Sequence, residues 1–169
     1  DVAFGACNSN PIVERGASVE GLTNYYRAGT VEEYLEVRTF DKVWMRNIYN
    51  KTDVLYKPNT SGVKYDFIVK PGGNPLDIKM KYTGAEEVYI DEEGKLIIQT
   101  SLGEVKEYIP EVFQQINGLI KTIDAKYVNR NNVVSFEIEA YDPNAELVID
   151  PWVTYVGGAD VDIANGVAN

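Results

Sequence analysis

The chain has 169 residues, 44% hydrophobic and 25% charged, with a single Cys and no His. A chain of this length buries enough apolar surface to fold without disulfides or a structural metal, and the lack of His and of further Cys excludes histidine-based hydrolytic triads and zinc chemistry within it. The net charge of −10 opposes binding to nucleic-acid phosphates or anionic lipid.

Residues 1–30 are rich in Gly, Asn, Ser and Thr, and Val19, Leu22, Tyr25 and Tyr26 stand at helical spacing. They read as an irregular arm with at most one short helix, and residues 1–40 as an N-terminal arm or first strand region. From Val31 onward, short runs of β-branched and aromatic residues alternate with turn formers, the signature of an all-β domain over residues 41–151. The expected strands are Tyr34–Phe40, Lys42–Tyr49, Thr52–Tyr56, Val63–Lys70 and Asp77–Tyr82. In the fourth of these Val63, Tyr65, Phe67 and Val69 share one face, and in the fifth Ile78, Met80 and Tyr82 point inward.

Pro71-Gly72-Gly73-Asn74-Pro75 reads as a rigid loop, and with no helix offering an orphan N-terminus after it the two glycines are not a phosphate cradle. Glu87–Asp91 and Lys95–Thr100 flank a hairpin in which Gly94 supplies the left-handed residue. Val105–Ile109, Val112–Gln115 and Leu119–Tyr127 follow, with Asn117-Gly118 as a second hairpin turn. Val133–Tyr141 is read as one strand with Val134, Phe136, Ile138 and Ala140 inward, and Leu147–Ile149 and Trp152–Val156 are separated by Asp150-Pro151. About ten short strands at regular spacing, without a long amphipathic helix, predict a β-sandwich or an open barrel. No apolar run approaches the ~20 residues of a membrane-spanning helix, so no membrane insertion is expected.

Charge is unevenly spread. The last basic residue is Arg130, and Glu137, Glu139, Asp142, Glu146, Asp150, Asp160 and Asp162 follow it. These acids read as solvated strand and turn positions. Asp160 and Asp162 are candidate metal ligands, two carboxylates on one side of an extended segment, well short of the six to eight oxygens that calcium takes. Asn50-Lys51-Thr52 and Asn59-Thr60-Ser61 fit the N-glycosylation pattern at Asn50 and Asn59. Cys7 reads as a free or buried thiol. The residues present no catalytic set and call for no cofactor.

Several segments in fixed order carry a resemblance. They are Asn47-Ile48-Tyr49 with Asp53-Val54-Leu55-Tyr56, Tyr65-Asp66-Phe67-Ile68-Val69 running into Pro71–Pro75, Ile78–Ala85, Ile90–Leu96, Gln114–Gly118, and Tyr141-Asp142-Pro143 through Leu147–Pro151. Together they resemble a domain of unknown function from secreted and surface proteins of bacteria, especially Bacteroidetes-type organisms, which stands before seven-bladed β-propeller repeats of the SBBP type. Thr154-Tyr155-Val156-Gly157-Gly158-Ala159-Asp160-Val161-Asp162 is similar to the opening of such a repeat, so residues 152–169 read as its start or as an extended tail. The resemblance implies an extracellular, non-catalytic module of a surface protein, structural or adhesive, acting as base or spacer for a propeller.

Two alternatives accompany this reading. One is a subunit of an extracellular filament or assembly joined by strand addition of its arm or tail, with Trp152, Thr154, Tyr155 and Val156 as the candidate assembly segment. Its partners would be other protein chains, further copies of itself or the rest of a larger surface polypeptide. The other is a carbohydrate-binding module or carbohydrate-active enzyme, in which Trp44, Trp152 and the twelve Tyr would stack on sugar rings. Against the latter, the aromatics read as core and cross-strand packing.

Overall fold

The computed structural model describes residues 1–26, 33–59 and 62–157. These hold fifteen strands and one 3-10 turn: β1 Val2–Phe4, β2 Ile12–Arg15, β3 Ser18–Tyr26, β4 Glu33–Phe40, β5 Val43–Tyr49, β6 Thr52–Asn59, β7 Gly62–Val69, the turn Pro75–Asp77, β8 Met80–Tyr82, β9 Glu87–Ile90, β10 Leu96–Thr100, β11 Gly103–Ile116, β12 Leu119–Ile123, β13 Ala125–Arg130, β14 Val133–Ile138 and β15 Leu147–Gly157. The all-β expectation holds. A nine-stranded sheet runs β2-β5-β6-β7-β15-β11-β10-β9 with β12 also on β11, and a four-stranded sheet runs β1-β8-β14-β13. A separate ribbon pairs β3 with β4. The helical spacing of Val19, Leu22, Tyr25 and Tyr26 is overridden: those residues lie in β3, because the segment finds an antiparallel partner in β4. Within the expected arm, β1 pairs with β8 and β2 with β5.

The two larger sheets face each other across one core. Phe67 on β7 is its hub, 5.7 Å ring to ring from Phe4 on β1, 5.9 Å from Phe136 on β14 and 5.6 Å from Tyr65. The near-perpendicular ring pairs place positive edges on negative faces, which adds to the burial of apolar area. Ile78 and Met80 point into this core as the alternation of Asp77–Tyr82 predicts, although the strand there is only Met80–Tyr82 and a 3-10 turn replaces its start. Asn74 caps that turn by accepting from the Leu76 N–H, and Pro75 pre-sets its backbone. Gly73 is required in the preceding loop: a Cβ there would stand 2.8 Å from Val69 Cγ1 and 3.0 Å from two carbonyl oxygens.

Proline marks the largest departure from the expected strand ends. The pairs Val105–Ile109 with Val112–Gln115, and Leu147–Ile149 with Trp152–Val156, are each one continuous strand, β11 and β15, paired antiparallel from Gly103↔Gly157 to Phe113↔Val148. The register shifts between Tyr108 and Glu111, where Pro110 on β11 lies across from Pro151 on β15. Neither proline has an N–H to offer a ladder, so a bulge accommodates both at a single place. The bulge changes the phase of β11. Glu107 is buried before it, whereas Pro110, Val112 and Gln114 are buried after it.

The expected strand Leu119–Tyr127 is likewise divided at Asp124: β12 stays with β11, and β13 crosses to pair with β14 in the other sheet. Val133–Tyr141 stops at Ile138, after which Ala140 is exposed and Tyr141 packs against the core, the reverse of the alternation expected for them. The hairpin turns follow their sequences. Asn117-Gly118 and Asn131-Asn132 have positive φ at both central residues, the backbone of the two-residue turns that match strand twist. Gly94, at φ 81°, is the expected left-handed residue of the β9–β10 hairpin.

Candidate functional site

Alternation along β11 before its bulge puts Glu107 on the inner face in phase with Val105, where an apolar residue would be the ordinary choice. Its side chain is 3% exposed. Three hydroxyls converge on its carboxylate. Tyr65 of β7 and Tyr127 of β13 donate to Oε2 at 3.0 and 3.1 Å, and Tyr82 of β8 donates to Oε1 at 3.0 Å. Glu107 and Tyr65 belong to the nine-stranded sheet and Tyr82 and Tyr127 to the four-stranded one, so the cluster joins both layers.

The electrostatics follow from burial. Loss of water pushes the Glu107 carboxyl above the usual range, and the three hydroxyl donors act in the opposite sense by stabilising its charged form. The tyrosines are held well above the ordinary phenol value, first by their own burial and then by the Glu107 charge. Beside the cluster lies a cavity of about 280 Å³ lined by Tyr65, Tyr82 and Glu107 together with Val63, Ile98 and Val105. Asp1, Val2, Thr83-Gly84-Ala85 and Thr100 also line it.

A second polar cluster occupies the outer face of the larger sheet. Asn47, at φ 54°, forms a bulge in β5, and Ile48 and Tyr49 are both buried after it. The bulge turns the Asn47 N–H out of the ladder, and Asp53 Oδ1 accepts it at 2.8 Å. Asp53 Oδ2 pairs with Arg46 at 2.9 Å and with Lys70 at 2.8 Å, and Arg46 also reaches Glu14 at 2.7 Å. Burial alone would raise the Asp53 carboxyl, but Lys70, the Asn47 N–H and Arg46 hold it below the usual carboxylate range. Every cation in this cluster is engaged by a carboxylate, which suits a structural clamp.

A third site is a cleft of about 600 Å³ where Asn8, Asn47, Asn50, Lys51, Asp77 and Lys79 present amides and charges around Tyr49. Gln114, fully buried, fixes the chain on another side: its amide nitrogen donates to the Asp142 and Ala145 carbonyls at 2.8 and 3.2 Å, and its Oε1 accepts the Asp142 N–H at 2.8 Å.

A family model, Domain of unknown function (DUF7948), matches residues 1–152. The chain belongs to this family. No curated protein and no solved structure matches it. The match extends over the N-terminal forty residues, which the segments quoted above did not include.

Within this DUF7948 domain the sequence candidates fall as follows. Asn50 is exposed at the β5–β6 turn and borders the polar cleft. Asn59 ends β6, opposite Gly62, and its side chain is outside the described part. The backbones of Trp152, Thr154, Tyr155 and Val156 lie in β15, paired with Tyr108, Lys106, Val105 and Glu104 of the same chain. Asp160 and Asp162 lie outside the described residues. Cys7 is a free, partly buried thiol against the core. No helix among the described residues is long and apolar enough to cross a membrane, and no group of three or more His, Cys, Asp or Glu among them is placed to hold a metal.

Glu107 was not among the candidates. Its signal was an acid in phase with Val105 on an otherwise apolar strand face. Alternation puts Tyr82 inward and Tyr65 on one face with Phe67, as the structure has them; their shared acceptor is what the sequence leaves out of view.

Proposed function

We propose that this DUF7948 domain is a non-catalytic extracellular module of a bacterial surface protein, structural or adhesive, serving as base or spacer for a β-propeller. The observation that carries the reading is the course of β15. The residues similar to the opening of a propeller repeat, Thr154 to Gly157, continue without a break from a strand inside the nine-stranded sheet and pair with β11. A following unit attached there would be fixed to the sheet through a ladder of backbone hydrogen bonds, which gives a base little freedom to swivel. An assembly joined by its tail is less favoured, because β11 of the same chain already takes one edge of that segment.

Antibody raised against the domain is expected to label intact cells of the native organism, and mass spectrometry of the native polypeptide to show chain beyond residue 169. Confinement to the cytoplasm, or a mature chain ending at Asn169, overturns the reading.

Carbohydrate binding is a second reading, favoured by the cleft around Asn8, Asn47, Asn50 and Lys51, whose amides and ammonium suit sugar hydroxyls. A glycan array without a hit would remove it.

A further inference from the structure

Among the described residues no cation stands against the Glu107 carboxylate. Its contacts are the hydroxyls of Tyr65, Tyr82 and Tyr127, and it takes part in no ion pair among the described residues. The Asp1 nitrogen, on a residue that also lines the adjoining cavity, donates to the Thr83 carbonyl at 2.8 Å. The described residues lining that cavity include two carboxylates, Glu107 and Asp1, and among them no Lys or Arg side chain. A buried charge is normally paired, because hydroxyl donors offset only part of the loss of water.

The hydrogen-bond inventory leaves room for a cationic donor. A carboxylate has about four acceptor positions, and Glu107 uses two on Oε2 and one on Oε1. Tyr65 and Tyr82 each spend their one proton on Glu107 and keep oxygen lone pairs to accept with. Glu107, Tyr65 and Tyr82 all line the cavity, and three acceptors match the three N–H groups of a primary ammonium. Val63, Ile98 and Val105 give the rest of the described lining an apolar stretch, beside Thr83, Thr100 and Asp1. That suits an alkyl body and offers little to a hydrated metal ion, which takes six or more oxygens when it is calcium. The volume, about 280 Å³, falls just below the roughly 300–1,000 Å³ of drug-sized ligand cavities and so suits a smaller molecule.

We propose that the cavity beside Glu107 binds a small organic primary ammonium, its charged head on the Glu107 carboxylate and the two tyrosine oxygens and its alkyl body on Val63, Ile98 and Val105. The site is independent of the surface-module reading and stands or falls separately from it.

The test is an NMR titration of the full chain with n-butylammonium chloride, following the ring signals of Tyr65 and Tyr82, with 1-butanol and sodium chloride as parallel arms. Saturable shifts are expected with n-butylammonium at concentrations up to about 20 mM, and neither the uncharged body nor the bodiless cation should reproduce them. Glu107→Gln retains the shape and removes the charge, and should weaken binding by at least about tenfold. Val63→Trp, at a position 66% exposed and therefore tolerant of bulk, should block the mouth and abolish binding with Glu107 intact. The proposal is overturned if n-butylammonium gives no saturable shift, if 1-butanol or sodium chloride gives the same one, or if both variants bind within twofold of the natural chain.

Discussion

Tyr127 of the four-stranded sheet donates its hydroxyl to Glu107 of the nine-stranded sheet at 3.1 Å, with both side chains buried. This bond crosses the interior between the two sheets, and Tyr82 makes a second crossing to the same carboxylate. Because an unsatisfied buried polar group costs about 1–3 kcal/mol, such a cluster penalises every sliding of one sheet over the other that breaks it.

Glu107→Leu is therefore expected to destabilise the domain by about 3 kcal/mol or more, since it strands the hydroxyls of Tyr65, Tyr82 and Tyr127. Glu107→Gln, which keeps an acceptor oxygen, should stay within about 2 kcal/mol of the natural chain at neutral pH. Urea denaturation of both variants decides this; a Leu variant as stable as the Gln variant would show that the hydroxyls find other partners.

The pH dependence of stability should carry two opposed contributions. Burial raises the folded-state value of Glu107, so the folded state holds this proton at pH values where the unfolded chain has released it. The corresponding stability is present at low pH and is lost as pH rises from the unfolded value, about 4.3, through the raised folded one. Glu107→Gln should remove that loss. Chemical denaturation from pH 4 upward, compared between the two chains, checks it, and identical profiles would contradict it.

Asp53 works in the other direction. Its folded-state value is lowered, so its contribution is present above the unfolded value of about 3.9 and disappears as pH falls through the folded one. Asp53→Asn preserves an acceptor for the Asn47 N–H and removes the charge facing Arg46 and Lys70. Breaking a fully buried pair costs about 3–5 kcal/mol, but the side chains of Arg46 and Lys70 remain 28% and 40% exposed and stay partly hydrated. A loss of about 1–3 kcal/mol at pH 7, shrinking toward acid pH, is expected in thermal or urea unfolding.

Gln114→Leu should release the loop it holds. The substitution conserves bulk and leaves the Asp142 N–H and the Asp142 and Ala145 carbonyls without their side-chain partner. Destabilisation of about 2–4 kcal/mol and faster amide hydrogen exchange at Asp142 are expected. Unchanged exchange at that amide would mean that the loop is held by other contacts.

Local patterns made much of this fold legible. Alternation placed Phe67, Met80, Val134 and Phe136 in the core, and the turn residues Gly94 and Asn117-Gly118 marked hairpins at their true positions. These features are written in neighbouring residues, since side-chain direction has a period of two in a strand and left-handed φ selects Gly or Asn. Helical spacing misled at Val19–Tyr26, where a pairing partner in β4 outweighed local pattern. The prolines misled at Ile109 and Ile149 for a different reason. Pro110 or Pro151 alone ends a ladder, but facing each other across a bulge they share one interruption, and neither position is visible from the other in the sequence.

The Glu107 cluster lies furthest from what local pattern can supply. Its members are separated along the chain by 42, 25 and 20 residues and sit on four strands in two sheets. The sequence by itself determined that the domain is built of strands, that β-branched and aromatic residues fill its interior and that most of its acids belong in solvent. Only the tertiary structure decided which acids are buried and that three hydroxyls answer Glu107, because desolvation and hydrogen-bond geometry exist only once the two sheets have closed over one another.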